Sequence, residues 1–404
     1  MADPFLHGVE VIDIDGGARS ITIPATSVIG IVGTAPRASM PDFPANTPVL
    51  VQNSRALAAK LAAGAPDVPL GTLPDALDSI LDQAGASVVV VRVEEGADET
   101  ETLANVIGGV NAQTGQYEGV HALLASESIT GSKPRLLIAP GFTHVRPADP
   151  ANPGQFLANP VIAELTDIAD RLRATIIADG PDTTDAAAIT AAQDFGSKRV
   201  FLVDPQVMKL GEDGLPAPAF ASACVAGLIA RVDSERGWWW SPSNQNINGI
   251  IGTHRAIDFA PGDPNSRANK LNAAKVATIV RLNGFRLWGN RTLSADQKWT
   301  FLSTVRIADI IADALQSAHL WAVDRGITKT YVEEVRESVN AFLRELKALG
   351  AILGGSCWLD PELNTPASIA AGHVYWDFDF TPPYPNERLT FRSHLVDNYI
   401  TDIF

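Results

Sequence analysis

The residues best suited to chemistry in this chain are scattered, and each group lacks a partner that its chemistry requires. Ile29-Gly30-Ile31-Val32-Gly33-Thr34-Ala35-Pro36 places glycines at the end of an apolar run, where a phosphate-cradling turn would sit. A dinucleotide turn needs a third glycine and a helix start, and Pro36 stands where that helix should begin. No glycine-rich phosphate loop ending in Lys-Ser or Lys-Thr occurs, so the stretch reads as a glycine-containing strand and its turn. The histidines (His7, His121, His144, His254, His319, His373, His394) show no i,i+4 pair, so only the fold could bring metal ligands together. Glu94, Glu95, Asp98, Glu99 and Glu101 fall in a predicted surface loop and read as solvated rather than as paired catalytic carboxylates. Ser241 follows Trp238-Trp239-Trp240 without a nucleophile-elbow pattern, and the three indoles fit a packed junction between domains better than a sugar site. Cys224 and Cys357 are too few for a disulfide framework and read as buried small hydrophobes. No catalytic, cofactor-binding or metal-ligating residue is expected.

One polar segment resists a bland reading. Ser266-Arg267-Ala268-Asn269-Lys270-Leu271-Asn272 through Leu287-Trp288-Gly289-Asn290-Arg291-Thr292 is dense in Asn, Arg, Gly and Trp. Buried Asn and Arg need fixed partners, so this predicts a polar network or an interface.

The elements around these residues follow from periodicity. Val28–Gly33, Ser87–Val93, Arg135–Ala139, Thr175–Ala178 and Arg199–Val203 are short apolar runs suited to strands buried on both faces. Between them, Ser54–Leu61, Leu73–Gln83, Pro160–Leu172, Thr184–Phe195 and Ala219–Arg236 read as helices, with Asp182 or Thr183 as the N-cap of the fourth. Alternation of this kind predicts an α/β domain with a largely parallel sheet. Gly96–Gly119 and Gly141–Gly154 read as long loops. Past Arg255 the pattern changes. Ser294 and Gln297 have capping-box spacing before a helix carrying Val305, Ile310, Ala314, Ala318 and Trp321. A second helix begins near Thr328, carries Val332, Val335, Val339, Phe342, Leu346 and Leu349 on one face, and stops at Gly350. The fold class expected is an α/β domain followed by a distinct α+β domain.

Composition limits the partners. The net charge of −15 argues against nucleic-acid binding, which needs a basic stripe. No run of eighteen apolar residues is present, and Met1-Ala2-Asp3-Pro4-Phe5 lacks the charged and apolar regions of a secretory signal.

Both ends of the chain read as strands without local partners. Val374-Tyr375-Trp376-Asp377-Phe378-Asp379-Phe380 alternates, with Val374, Trp376, Phe378 and Phe380 on one face. Leu389–Leu395 could return as its hairpin partner, and the chain runs on through Tyr399-Ile400 to Phe404. At the start, Gly8–Ile14 (with Val9, Val11 and Ile14) and Ser20–Ile23 (with Ile21 and Ile23) flank Gly16-Gly17. Chain ends are usually polar and frayed, so apolar strand-forming ends point to strands donated to another molecule.

At Phe5-Leu6-His7-Gly8-Val9, Phe195-Gly196-Ser197-Lys198-Arg199, Val203-Asp204-Pro205, Trp240-Ser241-Pro242-Ser243-Asn244 and Gly249 a family likeness emerges. It continues at Leu287–Ser294, Trp321–Val332 and Val374-Tyr375-Trp376, so it spans nearly the whole chain. The sequence resembles the tail sheath proteins of contractile-tailed bacteriophages and R-type pyocins.

The resemblance implies a helical homopolymer of hexameric rings around a tail tube, with extended N- and C-terminal β-arms exchanged between subunits. It implies a linking arm over residues 1–24, an outer domain over 25–254, an inner assembly domain over 255–392 and a second arm over 393–404. On it, Val9, Val11, Ile14, Ile21, Ile23, Leu395, Tyr399, Ile400 and Phe404 are inter-subunit arm residues. Val374, Trp376, Phe378 and Phe380 form the acceptor strand, within a hairpin spanning about Val374–Arg392. Gly16 and Gly17 are hinge candidates, since glycine tolerates large φ/ψ changes. Arg325 and Lys329, flanking the turn between the two long helices, are candidates for contact with an acidic tube surface. The other implied partners are baseplate and tail terminator proteins, with no cofactor, no direct nucleic acid and no membrane insertion. The implied location is a virion tail or bacteriocin particle, assembled in the host cytoplasm. Two other classes stay open: a nucleotide-binding α/β enzyme, and a tube or baseplate component.

Overall fold

A computed structural model of the chain describes residues 21–211 and 214–399. Strands β1 (Ile29–Thr34), β2 (Val49–Gln52) and β3 (Ser87–Val93) come first, and a short hairpin of β4 (Gly109–Val110) and β5 (Tyr117–Glu118) follows. Next are β6 (Leu136–Ile138), β7 (Thr175–Asp179) and β8 (Val200–Val203), then a small sheet of β9 (Val207–Leu210), β10 (Pro216–Ala219) and β11 (Gly252–Thr253). β12 (Val276–Arg281) and β13 (Phe285–Trp288) rejoin the main sheet, which has eight strands in the order β13-β12-β8-β7-β6-β1-β3-β2. Neighbours from β12 to β3 run parallel, and the two edge strands, β13 and β2, run antiparallel.

Helices α1 (Arg55–Ala58), α2 (Leu73–Leu81), α3 (Glu99–Ile107), α4 (Ser126–Thr130), α5 (Pro160–Leu172), α6 (Asp185–Gln193), α7 (Ala221–Arg236) and α8 (Arg267–Ala273) accompany this sheet. Because both sheet faces are covered, successive strand residues are buried on opposite sides. Ile29, Ile31, Val88 and Val90 join one core with α2 and α7, whereas Val32, Val91 and Val93 join a second with α3, α5 and α6. Helix α5 shows how sequence sets these boundaries. Asn159 accepts from Ile162 N at 2.9 Å, Pro160 fills the first turn, and Arg173 ends the helix in the left-handed region.

Several local expectations change. Gly96–Gly119 holds α3, because Asp98 accepts from Glu101 N (2.8 Å) while Glu101 Oε2 accepts from Ala97 N (2.7 Å). Those acids therefore cap a helix start rather than merely face solvent. The N-cap of α6 is Thr184, and Asp182 is drawn instead towards His254 and Arg255. Ser294 and Gln297 make no capping box: Ser294 bonds Asp296, and the long helix begins only at Leu302. The segment read as a polar interface supplies β12 and β13, so the sheet runs past the boundary expected after residue 254. β12 was missed because it lies inside a polar stretch.

Helices α9 (Leu302–Ala318), α10 (Lys329–Leu349) and α11 (Pro366–Ala370) and a second hairpin, β14 (Gly354–Leu359) with β15 (Trp376–Thr381), complete the chain. A third core gathers Ile307, Ile310, Ile311 and Ala314 of α9, Val339, Phe342, Leu343 and Leu346 of α10, and Cys357 of β14. Trp238, Ile21, Ala351 and Ile352 also belong to it, so Trp238 packs at the junction. Thr328 caps α10 by accepting from Tyr331 N (3.2 Å), and Gly350 ends it with φ 79°.

A second buried face of α9, beside that core, is charged, and it crosses the amino ends of the parallel strands. Arg135 precedes β6, Arg173 precedes β7 and Arg199 precedes β8. Asp313 takes Arg135, Arg173 (3.0 Å) and Lys133 (3.2 Å), while Asp309, one turn earlier, takes Arg199 (2.5 Å). Arg306 reaches Asp233 of α7. Buried carboxylates without partners would neutralise or destabilise the fold, so this spacing of Arg306, Asp309 and Asp313 ties the helical unit to the sheet. Among the described residues no helix is long and apolar enough to cross a membrane.

Candidate assembly interface

The hairpin β14–β15 lies on α10 in one register, from Gly354 opposite Thr381 to Leu359 opposite Trp376. Trp376 and Phe380 pack on the third core; Phe378 is partly exposed and stacks on Phe380 (ring centroids 6.3 Å, interplanar angle 17°). Val374 lies just outside the strand. The expected return hairpin with Leu389–Leu395 does not form, and residues 382–397 hold no helix or strand. β14 already occupies that side of β15, and Pro382, Pro383 and Pro385 cannot donate to a ladder. Sequence reading missed β14 because Gly354-Gly355-Ser356 carries little strand propensity.

Beyond β15 the chain is held at two points. Tyr384 packs near Phe301 (centroids 6.3 Å), and Glu387 forms a bidentate pair with Arg291 (Nε–Oε1 2.7 Å). After that clamp the apolar residues find little cover: Leu389 is 69 %, Phe391 86 % and Leu395 100 % exposed, and Tyr399 is exposed too. Of the other expected arm and hinge residues, Val9, Val11, Ile14, Gly16, Gly17, Ile400 and Phe404 lie outside the described residues. Of the expected arm residues, Ile21 is buried in the third core of its own chain and Ile23 packs against it, partly buried. They have apolar partners within reach, from Trp238 to Ile307, and so root the N-terminal segment.

Arg325 and Lys329 are both exposed at the turn between α9 and α10. Arg325 stacks over Trp321 (4.8 Å to the ring centroid) and lies 4.0 Å from Glu334. Lys329 has no ion pair among the described residues.

The carboxyl ends of the strands are where an α/β enzyme would bind its ligand, at the point where strand order reverses. That point lies between β1 and β6, and the chain fills it with its own loop. Thr72 N donates to Thr34 O (2.9 Å), Gly71 lies against the Thr34 carbonyl, and a Cβ on Gly141 would meet the Thr72 methyl at 2.9 Å. Next to it is a buried acidic group that sequence reading missed. Asp179, ending β7, accepts from Ser222 N (2.8 Å) and Ser222 Oγ (2.5 Å). Burial pushes its carboxyl up to about 6, against the pull of the Ser222 hydrogen bonds. Asp204, after β8, is likewise raised by burial and is held by Arg255, which also pairs with Asp185 (2.7 Å). These carboxylates fasten α6 and α7 to the strand ends. Among the described residues no cluster of His, Cys, Asp or Glu has the form of a metal site.

A filled switch point, an open hairpin and an uncovered apolar tail define a structural subunit built around its surfaces. Comparison with known proteins identifies which. The model of the phage tail sheath protein central domain matches residues 115–293, that of the phage tail sheath C-terminal domain 294–395, and that of the tail sheath protein Gp18 domain III N-terminal region 26–93. The chain is 42 % identical over 401 residues to a protein named as a prophage major tail sheath protein of Pseudomonas aeruginosa (strain UCBPP-PA14), covering 99 % of this chain and 98 % of that one. It is 35 % identical over 405 residues to the tail sheath protein of Escherichia phage P2, covering 98 % and 97 % of the two chains. The helical sheath of the anti-feeding prophage, solved by cryo-EM in its contracted state, shares the fold with a TM-score of 0.69 at 20 % identity, covering 96 % and 98 % of the chains. The chain belongs to the phage tail sheath family, and it is a structural subunit of a contractile tail sheath.

Proposed function

We propose that this subunit polymerises helically, as stacked hexameric rings around a tail tube, and that contraction of the polymer drives the tube through a target envelope. The observation that carries this reading is the hairpin β14–β15, whose open edge accompanies a tail with its apolar residues uncovered in its own chain. An extended segment that adds to a neighbour's sheet gains backbone hydrogen bonds and covers those side chains together. A head-to-tail contact that does not close on itself builds a helix of any length.

In this reading the residues before Ile21 and after Glu387 are the links, with Gly16-Gly17 as a hinge in the first. Contraction turns each subunit as a rigid body while the links hold the polymer together. The charged seam along α9 supports rigid-body movement, because separating the helices from the sheet would strand buried charges. Arg325 and Lys329 face the tube, and the polymer's ends meet the baseplate and a terminator. The assembly is that of a virion tail or bacteriocin particle, put together in the host cytoplasm.

The test is negative-stain electron microscopy of the full-length chain and of a variant lacking residues 393–404, each with and without tube protein. Striated tubes from the full-length chain and none from the variant are expected. Tubes of equal length from both would sink strand donation by the C-terminal segment.

A further inference from the structure

Two surfaces of the chain stay uncovered and differ in charge. The first is the outer face of β14–β15, turned away from the third core. Ser356 stands opposite Asp379 and Trp358 opposite Asp377, and Asp360 N donates to Tyr375 O (3.3 Å) as the ladder continues. Strand alternation puts these side chains on the side opposite Cys357, Trp376 and Phe380, and both Trp358 and Tyr375 are exposed. The three carboxylates find no cation. Asp379 accepts from Ser356 N (2.8 Å) and Oγ (3.0 Å), Asp360 accepts from Glu362 N and Leu363 N (2.7 Å each), and among the described residues none of the three enters an ion pair. Asp377 is left against Asp360, and its carboxyl is raised by desolvation and by that neighbouring charge.

The second surface is basic and lies partly in the Asn- and Arg-dense stretch from Ser266 to Thr292, joined by α7. Arg231 and Arg286 both reach the segment Asn244–Asn246: Arg231 donates to Asn246 O, and Arg286 Nη1 donates to Asn244 O and Oδ1 (3.1 Å each). Arg286 Nε also donates to Leu282 O (2.9 Å), which brings in the turn that holds Arg281 and the exposed Leu282. Arg281 lies over the Phe285 ring (5.8 Å to the centroid), and Arg236, on α7, lies over the exposed Trp240 (5.5 Å). Among the described residues, the one carboxylate paired with any of these four arginines is Glu235, 4.0 Å from Arg231. In a chain of net charge −15, a surplus of arginine beside exposed aromatic and aliphatic groups has the make-up of an interface.

We propose that the outer face of β14–β15 docks on this arginine patch of a second copy, so that the aspartates meet the guanidiniums while Trp358 and Tyr375 offer them flat faces. It rests on the proposed polymer and adds an interface that uses neither chain end. Arginine binds carboxylates through paired N–H groups and stacks on aromatic rings, so one side chain can use both features of the face. The two surfaces are different patches of one chain, so the contact is head-to-tail and propagates from copy to copy.

Pelleting of polymer formed by the full-length chain with tube protein tests the contact. Arg236→Glu together with Arg281→Glu should lower the yield by about tenfold or more, because like charges then face each other. Adding Asp377→Arg to that chain should restore part of the yield, each variant keeping the parent's unfolding midpoint. A yield unchanged by the reversed arginines, or a loss that Asp377→Arg leaves untouched, would overturn the docking and leave the polymer standing. A parent chain that forms no polymer would overturn both. A second measurement needs no charge reversal on the patch. The chain carrying Asp377→Cys and Arg281→Cys, treated in the polymer with a short bis-maleimide, should give a ladder of linked chains, since Cys224 and Cys357 are buried. Monomers alone from that polymer would overturn the docking.

Discussion

Arg306 and Asp233 join α9 to α7 through a bidentate pair, Nη1–Oδ1 at 2.8 Å and Nη2–Oδ2 at 2.5 Å, with both side chains almost wholly buried. Thr26 completes the joint, donating from Oγ1 to Asp233 (3.0 Å) and accepting at its carbonyl from Arg306 (3.1 Å). Removing one partner leaves a buried charge uncompensated, which costs about 3–5 kcal/mol, whereas removing both with apolar replacements costs much less. Arg306→Met alone should therefore lower the urea midpoint sharply, and adding Asp233→Leu should recover part of the loss. Equal midpoints for the single and double variants would show that the pair is not the joint.

Asp179 makes stability depend on pH. Its folded-state carboxyl titrates at about 6, raised by burial above the ordinary value near 3.8. A raised acid is protonated more readily folded than unfolded, so its contribution is full below about pH 4 and is lost as pH rises through 6. The shift corresponds to about 3 kcal/mol by pH 7.5. Urea titrations at pH 5 and 7.5 should show the wild-type chain losing stability over that range. Asp179→Asn should lose less, because it has no charge to bury.

The parallel sheet and the two long helices were legible because they rest on local periodicity. Five apolar runs became β1, β3, β6, β7 and β8, and Pro160–Leu172 became α5 with the same bounds. What was not legible depends on distant partners. Nothing local to β12 says that it pairs with β8, and nothing local to Gly354-Gly355-Ser356 says that it completes a hairpin with Asp379-Phe380-Thr381. The seam is the clearest case. Nothing local to Asp309 and Asp313 says that their cations come from residues 133–199. For the candidate assembly surface, the apolar tail was visible in sequence because its pattern is local.

Gly71 is a position where only glycine fits. Its φ is +81°, and a Cβ there would lie 2.4 Å from the Thr34 carbonyl oxygen. Backbone cannot yield as a flexible side chain does, so Gly71→Ala should cost at least about 2 kcal/mol and loosen the Thr72 loop over the switch point. Thermal unfolding would register the loss. An unchanged midpoint would mean that the loop can leave the crevice freely.

Ile21 and Leu395 lie near opposite ends of the described chain and differ sharply in burial. Ile21 is buried in the third core, so Ile21→Ala should destabilise the lone subunit by about 2–4 kcal/mol. Leu395 is fully exposed, so Leu395→Ala should leave the lone subunit within about 0.5 kcal/mol of the parent while reducing polymer yield. Unfolding curves read the first effect and sedimentation of polymer reads the second. A destabilised Leu395→Ala subunit would show that the tail packs on its own chain.

Lys329 and Arg325 should differ although they flank one turn. Arg325 is engaged by the Trp321 ring and Glu334, so reversing its charge disturbs contacts within the subunit as well as outside it. Lys329, exposed at the amino end of α10, stands on a helix end whose dipole disfavours a cation. Lys329→Glu should therefore keep or slightly raise subunit stability. If this turn faces an acidic tube, the same change should weaken co-sedimentation with tube protein, most strongly at low salt, because exposed pairs are screened within about 8 Å at physiological ionic strength. Each contact is worth only about 0–1 kcal/mol, yet many copies act together along a tube, so a small loss per subunit should become a large loss of binding. Unchanged co-sedimentation across salt would remove Lys329 from the tube-facing surface, and a loss that persists at high salt would point to packing rather than charge.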